Sequence, residues 1–348
     1  MFSLLPYNEQ HMTVALVSRD CHEWALQQRD GAPTFRLKRF GQLPAYAVQH
    51  AWNSRQLRDA TQKKQVLACV ARAGDLELLR WLRRRRCPWD ESACRAAAGS
   101  GQLAVLQWLR SQRLPCPWDS LTCDYAAKAG HLGVLQWMRA QDPPCPWSEW
   151  TCADAALEGH LGMLQWLRAQ DPPCPWGQIA CSSAVRGGHL DVLQWLRSQD
   201  PPCPWDAETC AWAAKAGDLG VLQWLRAQDP PCPWDSLTCD HAADQGRLDV
   251  LQWLRSQDPP CPWDEIACSS AVRGGHLDVL QWLRAQDPPC PWSEWTCAGA
   301  AQAGHLDVLQ WLRAQDPPCP WDQQVASLAE DGGHHELLQW ALAHGAPR

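Results

Sequence analysis

Nineteen cysteines and twelve histidines in 348 residues could serve metal binding, redox exchange or nucleophilic catalysis, and their spacing decides among these. The cysteines recur as pairs seven apart, Cys116 and Cys123 being one such pair. Zinc takes four ligands in a tetrahedron, normally from CxxC-like pairs, and no CxxC occurs. One histidine per unit (His131, His160, His189, His276, His305 and His334) holds a fixed place that Asp218 and Arg247 fill elsewhere. Copies on neighbouring helices roughly 10 Å apart cannot share one ion. The expectation is therefore packed thiols and turn or capping histidines, with no metal and no cofactor. A Walker-type loop, a dinucleotide fingerprint, HExxH and a GxSxG elbow are all missing. Gly99-Ser100-Gly101 reads as a helix turn, and the chain is expected not to be an enzyme.

The same spacing exposes an internal repeat. CPW begins at Cys87, Cys116, Cys145, Cys174, Cys203, Cys232, Cys261, Cys290 and Cys319, always 29 residues apart. A second string, LLRW or LQW, ends at Trp81 and Trp108, 27 apart, and then every 29 residues to Trp340, which makes ten units. Trp accounts for 24 of the 30 aromatic residues because it is copied with the unit.

Within the unit Cys116 to Pro144, Asp119 can cap a short helix through Cys123, Ala126 and Ala127. Gly130 stops that helix in a left-handed conformation, and a second follows from about His131 to Gln141. Leu132, Leu135 and Met138 share one face of the second helix, flanked by Val134 and Trp137. Asp142-Pro143-Pro144 ends it and favours an extended, polyproline-like connector without a β-hairpin. Such a pair cannot bury its apolar face alone, whereas a stack of pairs can. The expected fold is an all-α solenoid of about ten helix-turn-helix units over residues 61–348, with residues 319–348 as C-terminal cap and a helical segment at 1–60.

The sequence holds no run of about 20 apolar residues that could span a bilayer, and MFSLLPYNEQ shows no basic region followed by an apolar run and a small-residue cleavage site. A cytoplasmic or nuclear protein, monomeric and without a membrane partner, is expected. Residues 1–90 carry 15 Lys and Arg against 8 Asp and Glu, while 91–348 carry 16 against 30. So acidic an array argues against nucleic acid as a partner. Arg83 to Arg86, the one dense basic run, suits the C-terminal end of a helix.

The order TC..AA..GHL..LQWL..CPW resembles the ankyrin repeat. Ala126, Ala127, Gly130, His131 and Leu132 stand where that family has AA and GHL, and Cys145, Pro146, Trp147 and Ser148 where it has ADVN. The resemblance implies stacked helix pairs and protein binding. The unit of 29 residues is shorter than the usual 33, and DPPCPW fills the place of the family's hairpin finger. Residues 4–25, LLPYNEQHMTVALVSRDCHEWA, are similar to the second half of an F-box. That similarity implies docking to a ubiquitin-ligase adaptor subunit.

Columns constant from unit to unit should face neighbouring repeats, and columns that vary should face solvent or a partner. Trp118, Trp137, Trp147, Trp166, Trp176 and Trp195 are expected as a buried ladder, with Gly130, Gly159 and Gly188 as turns. The varying columns give Tyr125, Lys128, Trp150, Arg186, Trp212, Lys215, His241, Arg273 and Trp295 as candidate partner contacts, because Trp, Tyr and Arg dominate binding hot spots. The expected function is a non-catalytic protein-binding scaffold. A ubiquitin-ligase adaptor and a structural spacer without a partner are the alternatives.

Overall fold

The computed structural model describes residues 27–29, 32–34, 45–53, 57 and 59–347. Two compact units divide the chain, residues 1–175 and 176–348. The first holds a strand pair, β1 (Gln27–Arg29) and β2 (Ala32–Thr34), antiparallel with Gln28 opposite Pro33. Then come α1 (Ala45–Asn53) and four helix pairs: α2 (Ala60–Ala73) with α3 (Leu76–Arg84), α4 (Glu91–Ala98) with α5 (Leu103–Arg110), α6 (Ser120–Lys128) with α7 (Leu132–Arg139), and α8 (Glu149–Leu157) with α9 (Leu161–Arg168). The second unit holds six pairs. These are α10 (Gln178–Arg186) with α11 (Leu190–Arg197), α12 (Ala207–Ala216) with α13 (Leu219–Arg226), α14 (Ser236–Asp244) with α15 (Leu248–Ser256), α16 (Glu265–Arg273) with α17 (Leu277–Arg284), α18 (Glu294–Ala303) with α19 (Leu306–Arg313), and α20 (Gln323–Asp331) with α21 (His335–Ala343). Both units are helical repeat solenoids, and the array is all-helical as the repeat implied. The segment before residue 60, expected to be helical, contributes a strand pair as well as a helix; its F-box-like residues 4–25 lie outside the described residues.

Within each unit the first helix of a pair lies against the first helices of its neighbours. Small residues allow this: Cys123, Ala126 and Ala127 on α6 are all fully buried. The second helix buries Leu135 and Met138 of the expected face, with Val134 in place of Leu132. Leu132 is only half-buried, because α7 begins at Leu132 and turns its first residue towards the rim.

Gly130 has φ 74° between the two helices. The His160 ring of the next repeat occupies the space a Cβ there would need, its Cε1 only 2.9 Å from that point. The His160 ring nitrogen Nε2 lies 3.2 Å from the Lys128 carbonyl oxygen, a contact that requires the proton on that nitrogen. His276, His305 and His334 reach the carbonyls of Asp244, Arg273 and Gln302 in the same way. Each of these imidazoles thus satisfies a carbonyl orphaned at the end of the previous first helix. Gly159 and Gly188 adopt the same left-handed φ, 73° and 77°.

Candidate functional site

The constant tryptophan columns do not form the buried ladder between repeats that their constancy suggested. Trp118 and Trp137 are half-buried and meet edge-to-face at 6.2 Å inside one repeat, as do Trp147 and Trp166 at 6.5 Å and Trp176 and Trp195 at 6.1 Å. The arginine that closes every second helix except α21 completes the arrangement. Arg139 Nη1 donates to the Cys145 carbonyl at 2.6 Å, and its guanidinium lies 3.7 Å from the Trp147 ring. Arg226 does the same with Cys232 and Trp234, at 2.6 and 3.9 Å. The Cys145 N–H donates back to the Met138 carbonyl, seven residues earlier, at 3.1 Å. The junction is therefore a tight return rather than an extended polyproline connector. Arginine, carbonyl and indole lock it from within, which is why these residue types do not vary.

Among the described residues the 18 cysteines are all buried, and none forms a disulfide. Cys116 donates to the Asp90 carbonyl at 3.2 Å, and Cys94 to the Cys116 carbonyl at 3.8 Å. The neighbouring Cys94 thiol of the preceding repeat, together with burial, pushes the Cys116 thiol far above its usual range. Only thiolates attack or coordinate readily, so Cys116 is held as a packed thiol. No group of three or more metal-ligating side chains occurs among the described residues.

The residues of the varying columns all stand on first helices, some exposed and some buried or half-buried. Seven large apolar side chains are exposed among the described residues: Leu114, Leu121, Tyr125, Trp150, Leu237, Ile266 and Trp295. Six of them lie on first helices and none on a second helix. In the first unit Tyr125 and Lys128 project from α6, and Trp150, 52% exposed, from α8. In the second unit Arg186, Lys215, Arg273 and Trp295 belong to the same face, Trp295 being 58% exposed. Trp212 and His241 are half-buried. The Trp212 Nε1 donates to Glu208 at 3.1 Å, His241 lies against its ring at 5.8 Å, and Arg186 and Lys215 stand 5.1 and 5.2 Å from it.

Two buried acids on the first helices were not singled out from the sequence. Asp124 of α6 accepts from the Thr151 hydroxyl at 2.5 Å and from Ser148 at 3.4 Å. Its counterpart Asp240 of α14, 3% exposed, finds no donor for either oxygen. Burial, and then the nearby Asp264 and Asp235 carboxylates, push it up to about 7, with Arg273 opposing and Glu265 adding to the rise. A signal was available, since Asp stands at 124 and 240 in a column filled elsewhere by Arg95, Ala153, Ser182, Ala211, Ser269, Ala298 and Ser327, with no other acid.

No protein-family model and no curated protein sequence matches the chain. Among solved structures, it is similar to the pentatricopeptide repeat protein PPR10 in complex with an 18-nt psaJ RNA element. Identity is 13%, the TM-score 0.35, and 85% of this chain and 56% of that chain are covered. A second similarity is to PPR10 from maize, at 11% identity and TM-score 0.28, covering 86% of this chain and 60% of that one. The chain thus spans little more than half the length of these proteins. The exclusion of nucleic acid drawn from net charge is corrected here, because a structure in this comparison holds an RNA element. The physical fault lies in averaging: partners meet a local face, and Arg186, Lys215 and Arg273 stand on one face of a chain that is acidic overall. No helix among the described residues is long and apolar enough to cross a membrane.

Proposed function

We propose that the chain is a non-catalytic, ankyrin-like scaffold that holds a protein partner on the exposed face of its first helices. One observation carries the reading: the exposed large apolar side chains gather on first helices, while the second helices, built from the same repeated unit, present none. A spacer without a partner has no use for that asymmetry. Trp150, Trp295 and Tyr125 stand on helices whose caps and junctions are internally satisfied, so ordering them on binding costs little. The helix, left-handed Gly and helix order of each unit supports the ankyrin-like assignment.

The test is affinity capture from source-cell extract with the intact chain and a Trp150→Ala/Trp295→Ala variant, each with and without nuclease. A Gln136→Ala/Gln281→Ala variant on second helices is the control. The scaffold reading expects a protein retained by parent and control, lost from the aromatic variant and indifferent to nuclease. Retention that nuclease abolishes would assign the face to nucleic acid instead.

A further inference from the structure

The repeats starting at Cys174 and Cys261 differ at three of 29 positions, and both carry an arginine at the end of their first helix, Arg186 and Arg273. The repeats that follow them diverge nine positions after their CPW cysteine, where one has Trp212 and the other Gly299. Over Arg186 stands the Trp212 ring. Among the described residues no ring stands over Arg273. A groove of about 540 Å³ opens there between α16, α18 and α20, within the size range of ligand sites.

The lining reproduces the surroundings of Trp212 position by position. Arg186, Glu208, Lys215 and His241 enclose that indole. The residues at the same places one block later are Arg273, Trp295, Gln302 and Leu328, and all four line the groove together with Gly299. A Cβ on Gly299 would meet nothing nearer than the Arg273 Cγ at 3.4 Å. We propose that this groove receives one aromatic side chain of a partner polypeptide, seated over the Arg273 guanidinium as Trp212 is seated over Arg186.

The exchanges make the groove more apolar than the template: Glu208 becomes Trp295, His241 becomes Leu328 and Lys215 becomes Gln302. The guanidinium favours the negative face of a ring. Glu265 in the same wall repels a phosphate, so a neutral side chain fits better than a nucleotide. The inference rests on the scaffold reading for the source of the ring, but its test needs no partner.

The test is a fluorine-NMR titration of the intact chain with N-acetyl-5-fluorotryptophanamide. The groove should give saturable broadening. Gly299→Trp copies the residue that α12 already carries and should weaken binding at least about tenfold. Arg273→Gln, at an exposed position, should weaken it measurably. Absence of saturable broadening in the parent, or unchanged affinity in either folded variant, overturns the proposal. So does adenosine monophosphate binding more tightly than the indole probe. Probe binding that persists while partner capture fails would remove the scaffold reading and leave the groove standing.

Discussion

Asp124 and Asp240 occupy the same place in their repeats yet meet opposite chemistry, and the difference lies in the next repeat. Ser148 and Thr151 offer hydroxyls to Asp124, whereas Asp264 and Ala267 follow Asp240. Since burial raises Asp240 from 3.8 to about 7 in the folded chain, the native state holds a proton that the unfolded state has already released between those values. Stability from this group is full below about pH 4, falls as the pH rises through about 7, and stays low above it. Asp240→Asn should therefore resist urea better than the parent at about pH 8 and about equally at pH 4, by an amount on the order of a few kcal/mol at the higher pH. Equal midpoints at pH 8 would contradict this. The buried thiols lead to a second expectation. The 18 described cysteines should stay unlabelled by iodoacetamide in the native chain and react on unfolding; rapid native labelling at Cys116 or Cys145 would contradict it. The packing role of the cysteines was legible from their spacing. The fate of the two acids was not, because it depends on contacts 24 to 27 residues away.

Each helix pair has a turn glycine and, in every pair but the last, a closing arginine. The glycine was readable, since only glycine takes the left-handed turn without a Cβ clash. Gly188 has φ 77° with open space around its would-be Cβ, so Gly188→Ala should cost only the backbone preference, about 1 kcal/mol. Gly130→Ala adds the clash with His160 and should lower the urea midpoint further; a smaller effect than at Gly188 would contradict the packing described. The arginine was read only as a constant column. Its role needed the returning junction, which places the cysteine carbonyl and the indole within its reach. Arg226→Ala forfeits a charge-assisted bond and a cation–π contact and should destabilise by about 1–3 kcal/mol. Arg226→Lys should recover only part, because an ammonium lacks the planar fork. Full recovery by lysine, in thermal melts, would contradict the clamp.

Across the whole molecule, the pair architecture followed from a 29-residue period and its capping residues, because local signals define each pair and copying does the rest. The proposed binding face was half legible. Variation between copies located Tyr125, Trp150 and Trp295 on the exposed side, but it equally marked Trp212 and His241, which the neighbouring repeats engage. The groove beside Gly299 was not legible at all, since a missing side chain gains meaning only from what surrounds it. Net charge misled about nucleic acid because it discards position. The central claim, that partners meet the first helices, is tested most directly by oxidative footprinting of the intact chain free and with its captured partner. The account expects Tyr125, Trp150 or Trp295 to oxidise readily in the free chain and to be protected in the complex, with the junction Trp–Arg clamps unchanged. Protection confined to the second helices and junctions, with all three aromatics still oxidised, would contradict it.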